Sequence, residues 1–260
     1  MGRLRRTVHR SGLVAYRSPR LEELGVRHVF TTKIGARGRE LCVRRPDADS
    51  RRALLELLGA EESGDLRFAR QVHGNAVLEL APNEDSSDRA ADALIARAPA
   101  PPIGVYTADC VPVLLASADG SRVAALHAGW KGILAGVIPA ALARLRAAAP
   151  ETEWVAAIGA CLSVDRCEMG ADVSERFLQA DLGTAVSREL GRRDRVDVRA
   201  AVRLQLEREG LRAIDVSDRC TWDNAEEFGS HRRDVTHGSR ERATSQGALV
   251  RPSSEGRPQT

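Results

Sequence analysis

At 260 residues, 43% of them hydrophobic and 29% charged, the chain has a globular composition and the length to bury a full core. A net charge of +3 gives no strong field of either sign, so neither nucleic acid nor a membrane surface is an expected partner. Lys33 and Lys131 are the only lysines, and the abundance of Arg together with Ala reads first as genome composition.

The N-terminal MGRLRRTVHR lacks the apolar run of a secretory signal, and no stretch approaches membrane-spanning length, so a soluble cytoplasmic protein is expected. VRHVFTTKIG (26–35) reads as a strand leading into a glycine turn. ADSRRALLELLGA (48–60) has helical spacing, with Asp49 or Ser50 as N-cap and Gly59 near its end. RFARQVHGNAVLEL (67–80) alternates around an HGN turn, which predicts a hairpin, and APNEDSSDRA (81–90) is a polar loop. IGVYTADC and VPVLLAS are strands, and ADGS turns into a third, RVAALHAG. The helix after GWKG should end before Pro150, with Pro139 kinking it or marking where its regular part begins. EWVAAIGACLS (153–163) predicts a strand, ADVSERFLQA and RVDVRAAVRLQLEREG predict helices, and LRAIDVSDRC a late strand. The tail RPSSEGRPQT (251–260) is expected to be disordered. Strands and helices interleave without a regular βαβ period, which predicts one mixed α+β domain over residues 1–250.

Five scattered cysteines (Cys42, Cys110, Cys161, Cys167, Cys220) argue for reduced thiols rather than a disulfide framework. Three candidate metal ligands share one local setting: His73 in QVHG, Cys110 in ADC, and His127 in HAGW each end or interrupt an apolar strand. Two imidazoles and a thiolate make a three-ligand zinc site whose fourth position stays open for water or substrate. Asp109 should raise the pKa of the adjacent Cys110 thiol unless a bound dication reverses that effect. It could orient a ligand or act as general base.

Gln71-Val72-His73-Gly74, Tyr106 to Leu115 (YTADCVPVLL) and Leu126 to Gly132 (LHAGWKG) resemble the three signature segments of the YfiH-like laccase-domain family, whose labels include polyphenol oxidase, purine nucleoside phosphorylase and peptidoglycan editing factor. The resemblance runs from Thr31-Thr32-Lys33 through Arg240. It implies a single α+β domain of layered α/β/β/α architecture and zinc held by His73, Cys110 and His127, with copper as an alternative metal. It implies phosphorolysis of purine nucleosides, methylthioadenosine included, and adenosine deamination. The substrates would then be a purine nucleoside and phosphate. The chain departs from the family pattern at Lys33, where the family has Arg; in RELCVRRPDA, where it has Leu-Asn-Leu; at Cys167, where it has Tyr; and around Gly229 to Arg233 and Thr236 to Arg240.

Phosphorolysis needs a cradle for phosphate, for which Lys33, Arg232 and Arg233 are the candidates. Deamination needs a carboxylate to shuttle protons, for which Asp109 and Glu168 are the candidates. Met169 leaves a single blue-copper arrangement open, but six histidines without a His-x-His pair do not furnish a four-copper laccase. Two other readings compete: a zinc-free Cys110–His127 amide hydrolase acting on a peptidoglycan precursor, and a non-catalytic zinc-binding paralogue.

Overall fold

The computed structural model describes residues 2–36, 39–60, 65–238 and 244–253. Its strands are β1 (Gly2–Arg3), β2 (Arg5–Val8), β3 (Val14–Arg17), β4 (Arg27–Thr31), β5 (Val77–Leu80), β6 (Ala93–Arg97) and β7 (Ile103–Thr107). They continue as β8 (Val111–Ser117), β9 (Arg122–Ala128), β10 (Trp154–Ile158), β11 (Val186–Ser187), β12 (Arg195–Val196), β13 (Ala213–Val216) and β14 (Gln246–Arg251). The helices are α1 (Pro19–Glu23), α2 (Ala48–Leu58), α3 (Trp130–Ala135), α4 (Val137–Ala148), α5 (Ala171–Gln179) and α6 (Val198–Arg208).

A seven-stranded mixed sheet, ordered β1-β13-β10-β8-β9-β6-β5, faces a five-stranded antiparallel sheet ordered β2-β3-β4-β14-β7. The alternation of β8 explains why both of its faces are buried. Val111, Val113 and Leu115 pack with Ile133, Val137, Leu142 and Val202 from the helices. Leu114 and Ala116 point the other way, onto Phe30, Val105 and Ala248 of the five-stranded sheet. On the far side of that sheet Leu54, Leu55 and Leu58 of α2 cover Val29 and Leu249. Each of these leucines is at most 2% exposed and contributes about 1.5–3 kcal/mol by its burial. The result is the expected α+β arrangement in α/β/β/α layers. Among the described residues, no helix is long and apolar enough to cross a membrane.

Several elements differ from the sequence expectation, each for a local reason. Helix α2 is capped by Asp47, whose side chain accepts from the Ser50 N–H, two residues before the expected Asp49. The hairpin over 67–80 does not form. Only Val77–Leu80 is strand, and it runs parallel to β6, because the 72–74 backbone turns to donate to Asp92 instead of to a partner strand. The long helix after GWKG is two helices, separated at Gly136 with φ +80°. Pro139 falls in the first turn of α4, where its missing N–H costs nothing. Of the expected tail, Arg251 closes β14 and the Ser253 N–H donates to Gly120; residues 254–260 lie outside the described residues.

Candidate metal centre and its cavity

The sheet order brings the three expected ligands to one edge of the molecule. Antiparallel pairing of β8 with β9 sets Val111 opposite Ala128, so Cys110, just before β8, lies beside the end of β9 that carries His127. Strand β6 starts at that same end, Ala93 facing Leu126, and β5 runs parallel to β6, so Asp92 and the His73 loop converge there too. The ligand atoms of His73, Cys110 and His127 lie within 4.8 Å of one another. The two imidazoles meet edge to face with centroids 4.7 Å apart.

Asp92, fully buried, organises this cluster, and the sequence reading missed it. Its Oδ1 accepts from the His73 N–H at 2.9 Å and from His127 Nδ1–H at 2.7 Å. Its Oδ2 accepts from the Gly74 and Val72 N–H groups at 2.7 and 3.2 Å. One carboxylate thereby fixes the His127 tautomer, leaving Nε2 for the cluster, and holds His73 at φ +60°, a backbone strain seldom met outside glycine. The glycine of HAGW has a steric reason. A Cβ on Gly129 would come 2.8 Å from His73 Cδ2 and 3.1 Å from Cys110 Sγ.

The electrostatics of the thiol reverse the sequence expectation. Burial pushes Cys110 up, but the charges and hydrogen bonds of His127 and His73 outweigh it and bring the thiol down to about 6. Burial opposes the charge on His127, while Cys110 and Asp92 favour it and raise the imidazole to about 9. The two imidazoles, not Asp109, set the direction of the shift, and the Asp109 carboxylate is hydrogen-bonded on its far side. Its Oδ1 accepts from the Thr221 hydroxyl at 2.6 Å and its Oδ2 from the Arg232 N–H at 2.7 Å, with its own backbone at φ +91°. This donor set, a readily ionised thiol and two imidazoles of which one is anchored on a buried carboxylate, fits a borderline-soft dication such as zinc.

The cluster lies in a cavity of about 500 Å³. His73, Asp109, Cys110, His127 and Arg232 line it, together with an apolar portion that includes Trp130, Leu162 and Met169. Lys33, Glu168 and Arg233 do not. Lys33 is tied through its backbone to Glu227 and Leu41. The exposed Glu168 contributes only its carbonyl, which accepts from Arg232 Nη1 at 2.9 Å. The Arg233 guanidinium is spent on the carbonyls of Thr221, Trp222 and Phe228 and on Asp234, where it staples the loop that carries Arg232. Cys167 lines the cavity as a buried thiol pushed up to about 12 by desolvation, so it stays protonated. His231 also lines the cavity, whereas Ser239 and Arg240 lie outside the described residues.

The family described as multi-copper polyphenol oxidoreductase laccase matches residues 46–243. A purine nucleoside phosphorylase YfiH of Shigella flexneri is 37% identical over 172 residues, covering 66% of this chain and 70% of its own. A purine nucleoside phosphorylase of Deinococcus radiodurans is 32% identical over 235 residues, covering 86% of this chain and 89% of its own. Among solved structures, a Neisseria meningitidis protein of the DUF152 family superposes with a TM-score of 0.71 at 27% identity, covering 87% of this chain and 94% of its own. The YlmD protein of Geobacillus stearothermophilus shares the fold, with a TM-score of 0.79 at 21% identity over 95% of this chain and 98% of its own.

Proposed function

The chain belongs to the multi-copper polyphenol oxidoreductase laccase family, and from that premise we propose that it is a zinc-dependent enzyme cleaving purine nucleosides with phosphate. The observation that carries this reading is the His73–Cys110–His127 cluster, anchored by Asp92, in a cavity roomy enough for a nucleoside. Relatives named purine nucleoside phosphorylase support the substrate class. Zinc would be held by the two imidazoles and the thiolate, and bound there it would supply a Lewis acid toward the substrate.

The chain's own groups do the rest. Leu162, Met169 and Trp130 offer apolar contact to a purine face. Arg232, steadied through its backbone by Asp109, presents a cation to phosphate. A phosphate oxygen bonds to C1′ of the sugar as the C1′–N9 bond breaks. The electron pair leaves with the purine, which takes up a proton relayed by Asp109. Methylthioadenosine undergoes the same cleavage. Adenosine deamination at this site would use water instead: its oxygen bonds to C6, ammonia leaves, and Asp109 passes the proton from water to the departing nitrogen.

The family description mentions several coppers, but among the described residues His73, Cys110 and His127 form the only cluster suited to a metal, which is too few ligands for multi-copper oxidation. One observation favours a second reading. Cys110, His127 and Asp92 stand as nucleophile, base and orienting carboxylate, with His127 Nδ1 2.7 Å from Asp92, an arrangement that serves amide hydrolysis without metal. Changing Cys110 to Ala and treating the native protein with a chelator or a thiol alkylator separates the two. Loss of metal and nucleoside cleavage together supports the first reading. Stoichiometric metal retained in Cys110→Ala refutes the ligand assignment. Activity that survives chelation but not alkylation favours the hydrolase.

A further inference from the structure

Asp109, the carboxylate on the cavity wall, has a conformation that an aspartate seldom adopts. Its backbone sits at φ +91°, and the residue is only half-buried. A side chain so placed would turn toward water unless the protein held it. Three contacts do. The Asp109 carbonyl accepts from the Leu162 N–H at 3.0 Å, Oδ2 accepts from the Arg232 N–H at 2.7 Å, and Oδ1 accepts from the Thr221 hydroxyl at 2.6 Å. The last is the only side-chain donor of the three, and its length is that of a hydrogen bond to a charged oxygen.

Thr221 is fully buried and is itself fixed on both sides of its Cα. Its N–H donates to the Cys161 carbonyl at 3.0 Å, and its carbonyl accepts from Arg233 Nη1 at 2.7 Å. The same guanidinium reaches the Trp222 and Phe228 carbonyls at 2.9 and 2.8 Å, and the Arg233 N–H donates to Ser230 Oγ at 3.1 Å. Arg233 thereby ties the segment that carries Thr221 to the turn that carries the Arg232 N–H. The two donors on Asp109 are set relative to each other before any substrate arrives. A threonine held at both backbone groups has little left to move, because branching at Cβ makes χ1 stiff.

We infer that Thr221 is a positioning residue for the reaction: its hydroxyl holds the Asp109 carboxylate in the orientation from which it passes a proton to the departing purine. This rests on the reading of Asp109 as the proton relay. Thr221 does not line the cavity, so its effect on the reaction runs through Asp109. A carboxylate has about four lone-pair sites. Thr221 and Arg232 take one on each oxygen, which fixes the plane of the group and leaves the others for the travelling proton.

The test is a double-mutant cycle on adenosine phosphorolysis by the zinc-loaded protein, using Thr221→Val, Asp109→Asn and the two combined, with Thr221→Ser beside them. Valine keeps the branching of threonine without its hydroxyl. Thr221→Val should lower kcat about 10–100-fold, with zinc content and the KM for adenosine little changed, and Thr221→Ser should recover most of the loss. Added to Asp109→Asn, the same valine should cost no more than about twofold, because the group it positions no longer relays a proton. An equal loss in both backgrounds overturns the proposal, as do native kcat in Thr221→Val and a serine variant that rescues nothing. Thr221→Ala takes the place of valine in the cycle if Thr221→Val does not fold. The carboxyl-carbon NMR resonance of Asp109, read without substrate, separates this proposal from the reading beneath it. That resonance should move in Thr221→Val, and an unmoved one overturns the contact whatever the turnover. A native protein that cleaves no nucleoside, with the resonance still moved by Thr221→Val, removes the phosphorolysis reading and leaves the hold of Thr221 on Asp109 standing.

Discussion

Replacing Asp92 with Asn tests whether a single carboxylate assembles the candidate metal centre. The substitution keeps shape and volume but turns one of two accepting oxygens into an NH2 group. Oδ1 serves the His73 N–H and His127 Nδ1–H, and Oδ2 serves the Val72 and Gly74 N–H groups. Whichever way the amide turns, two donors lose their acceptor. A buried donor left unpaired costs about 1–3 kcal/mol. His127 is 3% exposed whereas the 72–74 backbone borders solvent, so the amide settles with its NH2 against the Val72 and Gly74 N–H groups and the cost is about 1–3 kcal/mol. The loosened 72–74 turn that carries His73, and the loss of the carboxylate charge behind His127, should also weaken metal binding by about 10–100-fold. Urea unfolding of the metal-free protein reads the first quantity, and competition with a chromophoric chelator reads the second. A stability change below about 1 kcal/mol together with native metal affinity would refute the role given to Asp92.

Gly129→Ala places a methyl group 2.8 Å from His73 Cδ2 at a backbone φ of −73° that alanine accepts, so the fold should survive while metal affinity falls at least about tenfold; undiminished metal content in a competition assay would contradict the packing argument. Asp109→Asn should retain metal and lower nucleoside turnover by about 10²–10⁴-fold, because the remaining oxygen still accepts from the Arg232 N–H and the Thr221 hydroxyl can turn to accept from the new NH2, while the proton relay is lost; native turnover would remove Asp109 from the mechanism. His28 concerns stability. Its Nδ1–H donates to the Val26 carbonyl, its Nε2 accepts from the Ser18 N–H, and burial lowers it from 6.5 to about 4. The unfolded chain therefore protonates first, so this stabilisation is whole above pH 6.5 and is lost as the pH falls toward 4, about 3 kcal/mol in all. Urea midpoints across that range should fall more steeply in the native protein than in His28→Leu, and equal slopes would overturn the assignment.

The parts of the site that lie in strands were legible in the sequence, because a thiol or imidazole at the end of an apolar run has few bland explanations when several occur together. Cys110 and His127 were visible in this way, and their meeting followed from ordinary strand pairing. Asp92 was not visible. It precedes the apolar ALIAR as an unremarked polar residue, and its four partners lie 18 to 35 positions away, so its importance exists only in three dimensions. The same holds for the 67–80 segment. Alternation predicted a hairpin, but the pull of Asp92 on three consecutive N–H groups decided the backbone. Of the three cations singled out in the sequence, Arg232 lines the cavity and Lys33 and Arg233 do not. Arg233 adjoins Arg232, yet three backbone carbonyls consume its donors, whereas Arg44, in a loop with no recognisable motif, lines the cavity. The strands Gly2–Arg3, Arg5–Val8 and Val14–Arg17 were hidden because charged side chains interrupt their pattern at the sheet margins.

The most direct measurement is mass-spectrometric analysis of adenosine incubated with the zinc-loaded protein, with and without inorganic phosphate. Adenine and ribose 1-phosphate, formed only when phosphate is present and absent in Cys110→Ala, are the predicted products. Unchanged adenosine, with stoichiometric zinc still bound, would contradict the central claim that this cluster serves purine nucleoside chemistry.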